Sequence, residues 1–508
     1  MKLKLLTILF VLFITKGFSQ DASKTLDEVK EVTIHNIGAI KKNNQVKGYF
    51  SFYEFDKVDR KTLLYRINLT DENLNDLGTK DITGPKEWEL TSSGYDGNNF
   101  CFKFWDEKAK SWELKVYDQN ANEVASNSIK VKNREGSQFF ASMVSKELGI
   151  AENNGFINYT YNHKNDAFDM SYANGSTKNT WQQTYEPQDK WKAVLPTFLN
   201  GNDIIILTSV AKIERGFDNM KTEHAILGNS TKDGSQLFDL ATDFDGNHVV
   251  PVNAIFEGDN ITIVGLNFKS IKTMSSAPDG FAFLTLDKKG KLLKSNFKTF
   301  EESLGKFLPM ENHELSGGYH IYIHDIVRTN HNTNLVIGEK FKKATDAGRM
   351  ALSLLSGSVG AIKLTLENMV VIEYDMDGNA IQASEIPKAI GNAGPFPNSA
   401  ALFSPYLVAI VAKDLGQMDY MYMSKNDTGS EITFSFEDYA KIDDDSKKTK
   451  NFGQIKYKDG KISVDKIPLK KEKSTFSTML PAKVSHTLQV NYYKKDKKLT
   501  MNLIKLNN

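Results

Sequence analysis

Residues 94–105, GYDGNNFCFKFW, contain the unit from which most of the chain is built. Gly97, Asn98 and Asn99 suit the positive φ angles of a tight turn, and the aromatic run after them suits a buried β-strand. The same order of turn and strand recurs in residues 152–161 (ENNGFINYTY), 200–208 (NGNDIIILT), 257–265 (EGDNITIVG) and 330–338 (NHNTNLVIG). The pattern predicts an all-β fold made of hairpins, with few helices.

A second pattern marks the end of the strand that follows. Residues 114–120 (LKVYDQN), 283–290 (FLTLDKKG) and 371–379 (VIEYDMDGN) each contain an apolar strand that ends in Asp before a polar turn, and residues 63–71 are a weaker copy. Strands that are apolar on both faces belong inside a stack of sheets.

The spacing of these units indicates how they are arranged. The strand starts lie 48 to 74 residues apart, at Tyr49, Phe100, Phe156, Ile204, Ile261 and Leu335, and looser units follow at 419–426 and 485–506. A period of about 50 residues without linkers indicates one ring of β repeats over residues 20–508, rather than the three domains that length alone suggests. The count gives eight blades, with seven as the alternative. Residues 31–35 are predicted to complete the last blade, because closure of the ring hides sheet edges.

This repeat resembles that of β-propeller proteins, over nearly all of the chain. In addition, residues 47–59, KGYFSFYEFDKVD, are similar to the start of an uncharacterised family of exported bacterial proteins with no assigned activity. The resemblance implies a single propeller and carries over no catalytic residue.

Two segments interrupt the repeat. Residues 344–366 carry Leu352, Leu355, Val359 and Ile362 at helical spacing, which predicts a short helix or a mobile insertion between two strands of one blade. Residues 389–405 contain three prolines and are predicted to form a long loop between blades. Insertions on one face of a repeat protein often bind ligands.

The first nineteen residues have the features of a secretory signal peptide. Lys2 and Lys4 form a basic start, residues 5–14 are apolar except for Thr7, and Gly17 and Ser19 suit a cut before Gln20. The run is shorter than the roughly 20 apolar residues of a membrane span, and no Cys follows it for lipid attachment. We expect an exported protein, periplasmic or secreted, that is not a lipoprotein.

Composition excludes several classes of protein. The chain has 508 residues, 25% of them charged, and a formal net charge of +1, which disfavours a nucleic-acid partner. One cysteine, Cys101, excludes a disulfide framework and any Cys-rich zinc site. Its aromatic neighbours predict a buried, inert thiol.

Histidines are concentrated in one stretch, which contains His313, His320, His324 and His331. On a strand, His320, Tyr322 and His324 point to the same side and would face a central channel if that strand is innermost. The two histidines would then lie about 13 Å apart, which is too far for a zinc pair. Two interpretations stay open: a polar binding site, and an ordinary half-exposed strand.

Two acidic turns, residues 243–247 (DFDGN) and 375–379 (DMDGN), invite comparison with calcium loops. Their Gly stands at position 4 rather than 6 and no suitably spaced Glu follows, so tight turns are the preferred interpretation. Residues 171–178 (SYANGSTK) match only part of the sialidase Asp-box, and no motif of a nucleotide site, serine hydrolase or zinc protease is present. We predict no metal and no cofactor.

Charge is unevenly distributed. Removal of residues 1–19 takes away three lysines and no acidic residue, which changes the net charge from +1 to −2. Residues 441–508, the predicted basic C-terminal blade, hold 17 Lys against 7 acidic residues. Lys494, Lys495, Lys497 and Lys498 cluster at a predicted hairpin tip and are candidates for contact with an anionic glycan or membrane surface. The alternative is that edge lysines only protect strands from aggregation.

These observations predict a class of function only. We expect an exported, non-enzymatic binding or scaffold protein of the cell envelope, with an unknown protein or glycan partner, no nucleic acid and no transmembrane span. One alternative is a periplasmic carbohydrate-active hydrolase or lyase, whose paired carboxylates would come from distant strands and leave no motif. Another is a structural component of an envelope complex that uses residues 344–366.

Overall fold

The computed structural model describes residues 20–33, 36–42, 45–131, 148–162, 167–186, 194–210, 224–269, 278–311, 314–345, 360–396, 400, 405–441, 448–469 and 473–506. The predicted signal peptide, His313, Leu352, Leu355 and Val359 lie outside these residues. Within them, eight antiparallel sheets of four or five strands follow one another along the chain, and each is one blade of a propeller. The prediction of an all-β propeller with eight blades is confirmed.

The first strand, β1 (Gln20–Leu26), stands apart from the first blade. Blades 1 and 2 consist of β2 (Ile37–Lys42), β3 (Gln45–Lys57), β4 (Thr62–Asp71), β5 (Asp76–Pro85), β6 (Trp88–Tyr95), β7 (Phe100–Asp106), β8 (Ser111–Tyr117) and β9 (Glu123–Lys130). Blades 3 and 4 consist of β10 (Gly149–Ala151), β11 (Gly155–Asn162), β12 (Ala167–Ala173), β13 (Thr180–Tyr185), β14 (Val194–Gly201), β15 (Ile204–Val210), β16 (His224–Ser230) and β17 (Gln236–Ala241).

Blade 5 has an additional short strand, and blade 6 has an additional strand at its far edge. Blade 5 consists of β18 (Asp243–Phe244), β19 (Asn247–Glu257), β20 (Asn260–Phe268), β21 (Gly280–Asp287) and β22 (Leu292–Thr299). Helix α1 (Phe300–Leu304) and the two-stranded β23 (Met310–Glu311) and β24 (Glu314–Leu315) connect it to blade 6. Blade 6 consists of β25 (His320–Arg328), β26 (Asn334–Thr345), β27 (Ile362–Tyr374), β28 (Ala380–Ile386) and β29 (Gly391–Phe396).

Helix α2 (Pro405–Asp414) leads from blade 6 into blade 7. Blades 7 and 8 consist of β30 (Tyr420–Lys425), β31 (Glu431–Lys441), β32 (Lys448–Lys458), β33 (Lys461–Pro468), β34 (Phe476–Pro481), β35 (His486–Tyr493) and β36 (Lys498–Lys505), with β1 as the outer strand of blade 8. No helix among the described residues is both long enough and apolar enough to cross a membrane.

The repeat found in the sequence corresponds to one position in each of blades 1 to 6. The six strand starts from Tyr49 to Leu335 all fall in the second strand of blades 1 to 6, and the Asp exits fall at the end of the third strand. The second strand is apolar on both faces because it lies inside its sheet and packs against both neighbouring blades. The turn chemistry and the buried strand therefore recur together once per blade.

Each pair of neighbouring blades shares one buried apolar cluster. Between blades 1 and 2, for example, the rings of Phe52 and Phe104 lie 5.3 Å apart in a tight aromatic group. Between blades 8 and 1, Leu488 and Tyr492 pack in one cluster with Tyr49 and Tyr53, which closes the ring. The eight clusters of the described residues correspond to the eight junctions of a closed propeller.

The chain start completes the last blade, but through a different strand from the one predicted. β1 pairs with β36 in antiparallel register, with Ser23 opposite Asn502. The prediction of residues 31–35 as the closing strand is wrong at the described residues 31–33, because Glu31 forms a single bridge with Glu54 of blade 1 instead. Val29 and Val32 are buried at the junction of blades 8 and 1, so this segment is the connection between them.

The two interrupting segments are also strand where the structure describes them. Thr345 pairs with Ile362, so both ends of segment 344–366 belong to the hairpin of β26 and β27, and the predicted helix is wrong at Ile362. In the segment 389–405, β29 pairs with β27 at Ile362–Leu366, where β28 no longer covers that edge. The predicted loop is therefore a strand at residues 391–396, because it covers an otherwise open sheet edge.

Candidate functional site

The first strands of the blades converge around the axis of the ring. β2 contacts β6 and β34, and the first strands of blades 3 to 6 contact one another in order. His320, Tyr322 and His324 lie on β25, the innermost strand of blade 6. The structure therefore places the predicted histidine cluster on the strand next to the axis, while His331 lies in the turn that follows.

The three side chains of β25 do not form an open polar surface. Tyr322 and His324 are 8% exposed, and their ring centroids lie 5.0 Å apart. His324 is the extra residue of a β-bulge between Ile323 and Asp325. Burial lowers the pKa of His324 well below its usual value, with Lys413 and Lys388 acting in the same direction, so the imidazole is neutral at neutral pH. Burial likewise lowers the pKa of His320 to about 4.

A fully buried charge cluster lies behind His324. Its Nε2 is 3.1 Å from Oε2 of Glu339, whose Oε1 is 3.1 Å from Nζ of Lys388. The same ammonium lies 2.6 Å from Oδ2 of Asp419, and the backbone N–H of Asp419 donates to Glu339. Burial and then the charge of Glu339 raise the pKa of Asp419 to about 6, while Lys388 opposes them. The cluster ties the inner strand of blade 6 to the start of blade 7.

A second group of polar side chains, which we call the axial site, consists of Lys41, Asp325, Lys413 and Tyr420. All four are half-buried, and they come from β2, β25, α2 and β30. The Tyr420 hydroxyl donates to Oδ2 of Asp325 at 3.1 Å, and Nζ of Lys413 donates to the backbone oxygen of His324 at 3.0 Å. The four polar side chains therefore lie close to the axis of the ring and keep partial contact with solvent.

The electrostatics of the axial site follow from this depth. Burial lowers the pKa of Lys41 to about 8, and the charge of Asp325 acts in the opposite direction. Burial raises the pKa of the Asp325 carboxyl, while Lys413 and Lys41 hold it down. Burial, with Asp325 beside it, raises the pKa of Tyr420 well above its usual value, so the phenol stays protonated.

The predicted basic hairpin tip is partly neutralised by the connection between blades 8 and 1. Lys494 lies 2.6 Å from Oε2 of Glu31, and Lys498 lies 3.8 Å from Oδ1 of Asp27. Lys495 and Lys497 occupy the exposed turn between β35 and β36. The structure thus brings the four lysines together, and two of them, Lys494 and Lys498, lie beside carboxylates.

In the acidic turn of residues 375–379, the first carboxylate holds the backbone. Oδ1 of Asp375 accepts from the backbone N–H groups of Asp377 and Asn379 at 2.8 Å, and the Asn379 amide donates to Oδ2. Asp71 and Asp118 are bonded in the same way at the corresponding turns of blades 1 and 2. Among the described residues, no group of three His, Cys, Asp or Glu side chains could hold a metal ion.

Two surface cavities lie at the outer strands of blades 1 and 2. The smaller measures about 240 Å³ and is lined by Lys80, Trp88, Tyr117 and Glu123 among others, and the larger measures about 530 Å³. The Trp88 ring is stacked on Phe104 at 4.6 Å, so this face of the indole is already covered. Cys101 is buried between the strands of blade 2, and burial raises the pKa of its thiol.

Sequence reasoning missed the other members of the buried charge cluster and of the axial site, which are Lys41, Asp325, Glu339, Lys388, Lys413, Asp419 and Tyr420. One signal was available for Glu339, because it interrupts the apolar run of residues 335–341 (LVIGEKF). A charge inside a buried strand requires a partner, so a buried ion pair was predictable there. The identity of the partners depends on how residues 388 and 419 return to the axis, which the sequence pattern does not contain.

Comparison with solved structures shows what the chain resembles. The alignment with the WD40 domain of SCAP from fission yeast covers 96% of this chain and 98% of that chain, at 9% identity and a TM-score of 0.38. The alignment with the polysaccharide lyase Uly1 covers 94% of this chain and 91% of that chain, at 10% identity and a TM-score of 0.37. Against a prolyl endopeptidase, 92% of this chain spans 55% of that chain, at 8% identity and a TM-score of 0.39.

At these identities the similarity carries no information about activity. No curated protein matches the sequence. A family model described as "Family of unknown function (DUF6770)" matches residues 1–507.

Proposed function

The chain belongs to the DUF6770 family of unknown function, and from this starting point we propose that it is an exported, non-enzymatic binding or scaffold protein of the cell envelope. The proposal combines three parts: a closed ring, a group of partly exposed polar side chains near its axis, and export by a cleaved signal peptide.

The protonation states of His324 and Tyr420, two side chains near the axis, are the observation that carries the binding role. A general acid or base works best when its pKa lies near the working pH. The pKa of His324 lies well below neutrality and that of Tyr420 well above it, and both side chains are engaged with carboxylates. His324 and Tyr420 each keep one protonation state at neutral pH, so these two side chains favour recognition of a ligand over proton transfer.

Support for export comes from the chain start. The features of a signal peptide end at Ser19, and the strand that closes the ring begins at Gln20. Cleavage at this point would leave the closing strand complete at the new N-terminus.

The proposal is tested by recovery of partners from envelope extracts with the tagged, purified protein after mild cross-linking. We expect a specific protein or glycan partner that a chemically unfolded sample of the same protein does not recover. If instead nothing is recovered and the purified protein degrades a polysaccharide, the binding role is overturned in favour of an enzyme.

A carbohydrate-active hydrolase or lyase is the second candidate. It is favoured by the grouping of a carboxyl, a phenol and an imidazole on the axis, where the rings of His324 and Tyr420 stack at 4.6 Å beside Asp325. The assay is turnover of a panel of neutral and acidic polysaccharides by the wild type, Tyr420→Phe and Tyr95→Phe. An enzyme at this site loses activity in Tyr420→Phe and keeps it in Tyr95→Phe, whose hydroxyl bonds Gly97 in blade 2.

A further inference from the structure

Lys41 reaches from blade 1 to blade 7 without a carboxylate partner. Its Nζ donates to the backbone oxygen of Met423 at 3.0 Å, and it lies 5.9 Å from the centre of the Tyr422 ring. Among the described residues, no carboxylate oxygen lies within the 4 Å of an ion pair with this ammonium. An ammonium carries three N–H donors, so two of them have no acceptor in the described part of the chain.

Asp325 is the charged residue that acts electrostatically on Lys41, and both of its carboxylate oxygens already accept hydrogen bonds. Oδ2 accepts from the Tyr420 hydroxyl and Oδ1 accepts from the backbone N–H of Ile326. Opposite charges deep in a protein gain much from direct contact, because few water dipoles screen them. Lys41 and Asp325 form no ion pair, so the charge of the Lys41 ammonium is not neutralised by direct contact.

Lys413 brings a second positive charge to the axial site. Its ammonium lies 5.6 Å from the centre of the Tyr420 ring and 5.7 Å from that of Tyr322. The axial site therefore has two cations, one anion and aromatic walls. Net positive charge favours an anionic ligand, and the single carboxylate of Asp325 disfavours a dianion such as phosphate.

We propose that the axial site binds a small carboxylate, with the Lys41 ammonium as its ion-pair partner and Tyr420 and Tyr422 as its walls. The two available donors of Lys41 match the two oxygens of one carboxylate. The inference rests on the binding role proposed above and names the ligand class. The carboxylate belongs either to a free organic acid or to the uronic acid unit of a glycan, and both are presented as small acids below.

The test measures binding of sodium acetate and sodium glucuronate to the full-length mature protein by NMR titration, with glucose as the neutral probe. We expect at least one of the acids to bind with a dissociation constant below about 10 mM, and glucose not to bind. Acetate alone indicates a free acid, and a clear preference for glucuronate indicates a sugar acid. Binding should weaken as the pH rises above about 8, where Lys41 loses its charge.

Three variants assign the effect to Lys41. Lys41→Gln should weaken binding at least tenfold, Lys41→Arg should retain most of it, and Lys42→Gln, an exposed neighbour, should leave it unchanged. The thermal unfolding midpoint of each variant shows whether the fold is kept. If Lys41→Gln does not fold, the pH profile of the wild type and the Lys41→Arg variant carry the test.

Two results overturn this inference: no binding of either acid to the wild type, and equal binding to the folded Lys41→Gln variant. The two experiments together distinguish failure of the carboxylate site from failure of the binding role. A partner recovered equally by the wild type and Lys41→Gln, without acid binding, keeps the scaffold role and overturns the carboxylate site. Acid binding without any envelope partner keeps the site and overturns the scaffold role.

Discussion

The ammonium of Lys388 lies 2.6 Å from the Asp419 carboxylate, and the side chains of both residues are almost fully removed from solvent, at 0% and 8% exposure. Lys388 follows the last residues of β28, and Asp419 immediately precedes the inner strand of blade 7. The pair therefore joins two blades at the axis, in a place where an unpaired charge would be costly.

Removal of this ammonium should destabilise the protein strongly. Lys388→Met leaves Glu339 and Asp419 buried without their cation, so we expect the free energy of unfolding to fall by about 3–5 kcal/mol. Lys450→Met is the matched control, because Lys450 is 46% exposed in its ion pair with Glu437 and should cost no more than about 1 kcal/mol. Chemical denaturation of both variants measures the difference, and equal losses would show that the buried cluster contributes nothing special.

The same cluster predicts a pH dependence of stability. The pKa of Asp419 rises from 3.8 to about 6 on folding, so the folded state holds this proton more tightly than the unfolded state. Its contribution is present below about pH 4 and is lost as the pH rises through 6, and Glu339 acts with the same sign. Relative to Asp419→Asn, the wild type should lose about 3 kcal/mol between pH 4 and pH 7. If the stability difference between the wild type and Asp419→Asn does not change between pH 4 and pH 7, Asp419 is not the group that titrates.

The sequence predicted the blades well because each blade repeats the same local chemistry. Turn residues with positive φ precede the second strands at Phe100, Phe156, Ile261 and Leu335, and strands apolar on both faces recur in order from Tyr49 to Leu335. Neither feature needs information from distant residues. The sequence analysis correctly predicted that the chain start completes the last blade, but it assigned this role to residues 31–35. The actual strand, Gln20–Leu26, is a polar edge strand and has no apolar pattern to mark it.

The axial site was predictable only in part, for a related reason. His320, Tyr322 and His324 form a local alternation that the sequence displays directly. Their partners Lys388, Lys413 and Asp419 lie 64 to 99 residues later and meet them through the geometry of the segment that joins blades 6 and 7. Contacts of this kind depend on tertiary structure and leave no periodic pattern.

The aspartate turns should stabilise the blades without calcium. Asp375→Ala removes three hydrogen bonds from one turn, so we expect a loss of about 1–2 kcal/mol, and the same loss for Asp118→Ala. Asp259→Ala changes a fully exposed side chain and should stay within about 0.5 kcal/mol. The melting temperature should be the same with EGTA and with added calcium. A calcium-dependent increase that Asp375→Ala abolishes would support a calcium loop instead.

The pairing of β1 with β36 can be locked covalently. Ser23 and Asn502 stand directly opposite each other, and the Ser23 hydroxyl lies 2.8 Å from the Asn502 side chain. A Ser23→Cys, Asn502→Cys variant should therefore form a disulfide on oxidation, and Cys101 should not interfere because it is buried. Since the bond encloses almost the whole chain, the oxidised form should be more stable than the reduced form by about 2–4 kcal/mol.

A second cysteine pair, out of register by two residues, tests whether the cross-link depends on the register of β1 and β36. Thr500 pairs with Thr25, two residues from Ser23, so a Ser23→Cys, Thr500→Cys variant should cross-link far less. Free-thiol counts and mobility on non-reducing gels measure the cross-link, and denaturation with and without reductant measures the stability. Equal cross-linking of both variants would mean that β1 slides along β36. Failure of the 23–502 pair to cross-link would mean that the ring closes in another way.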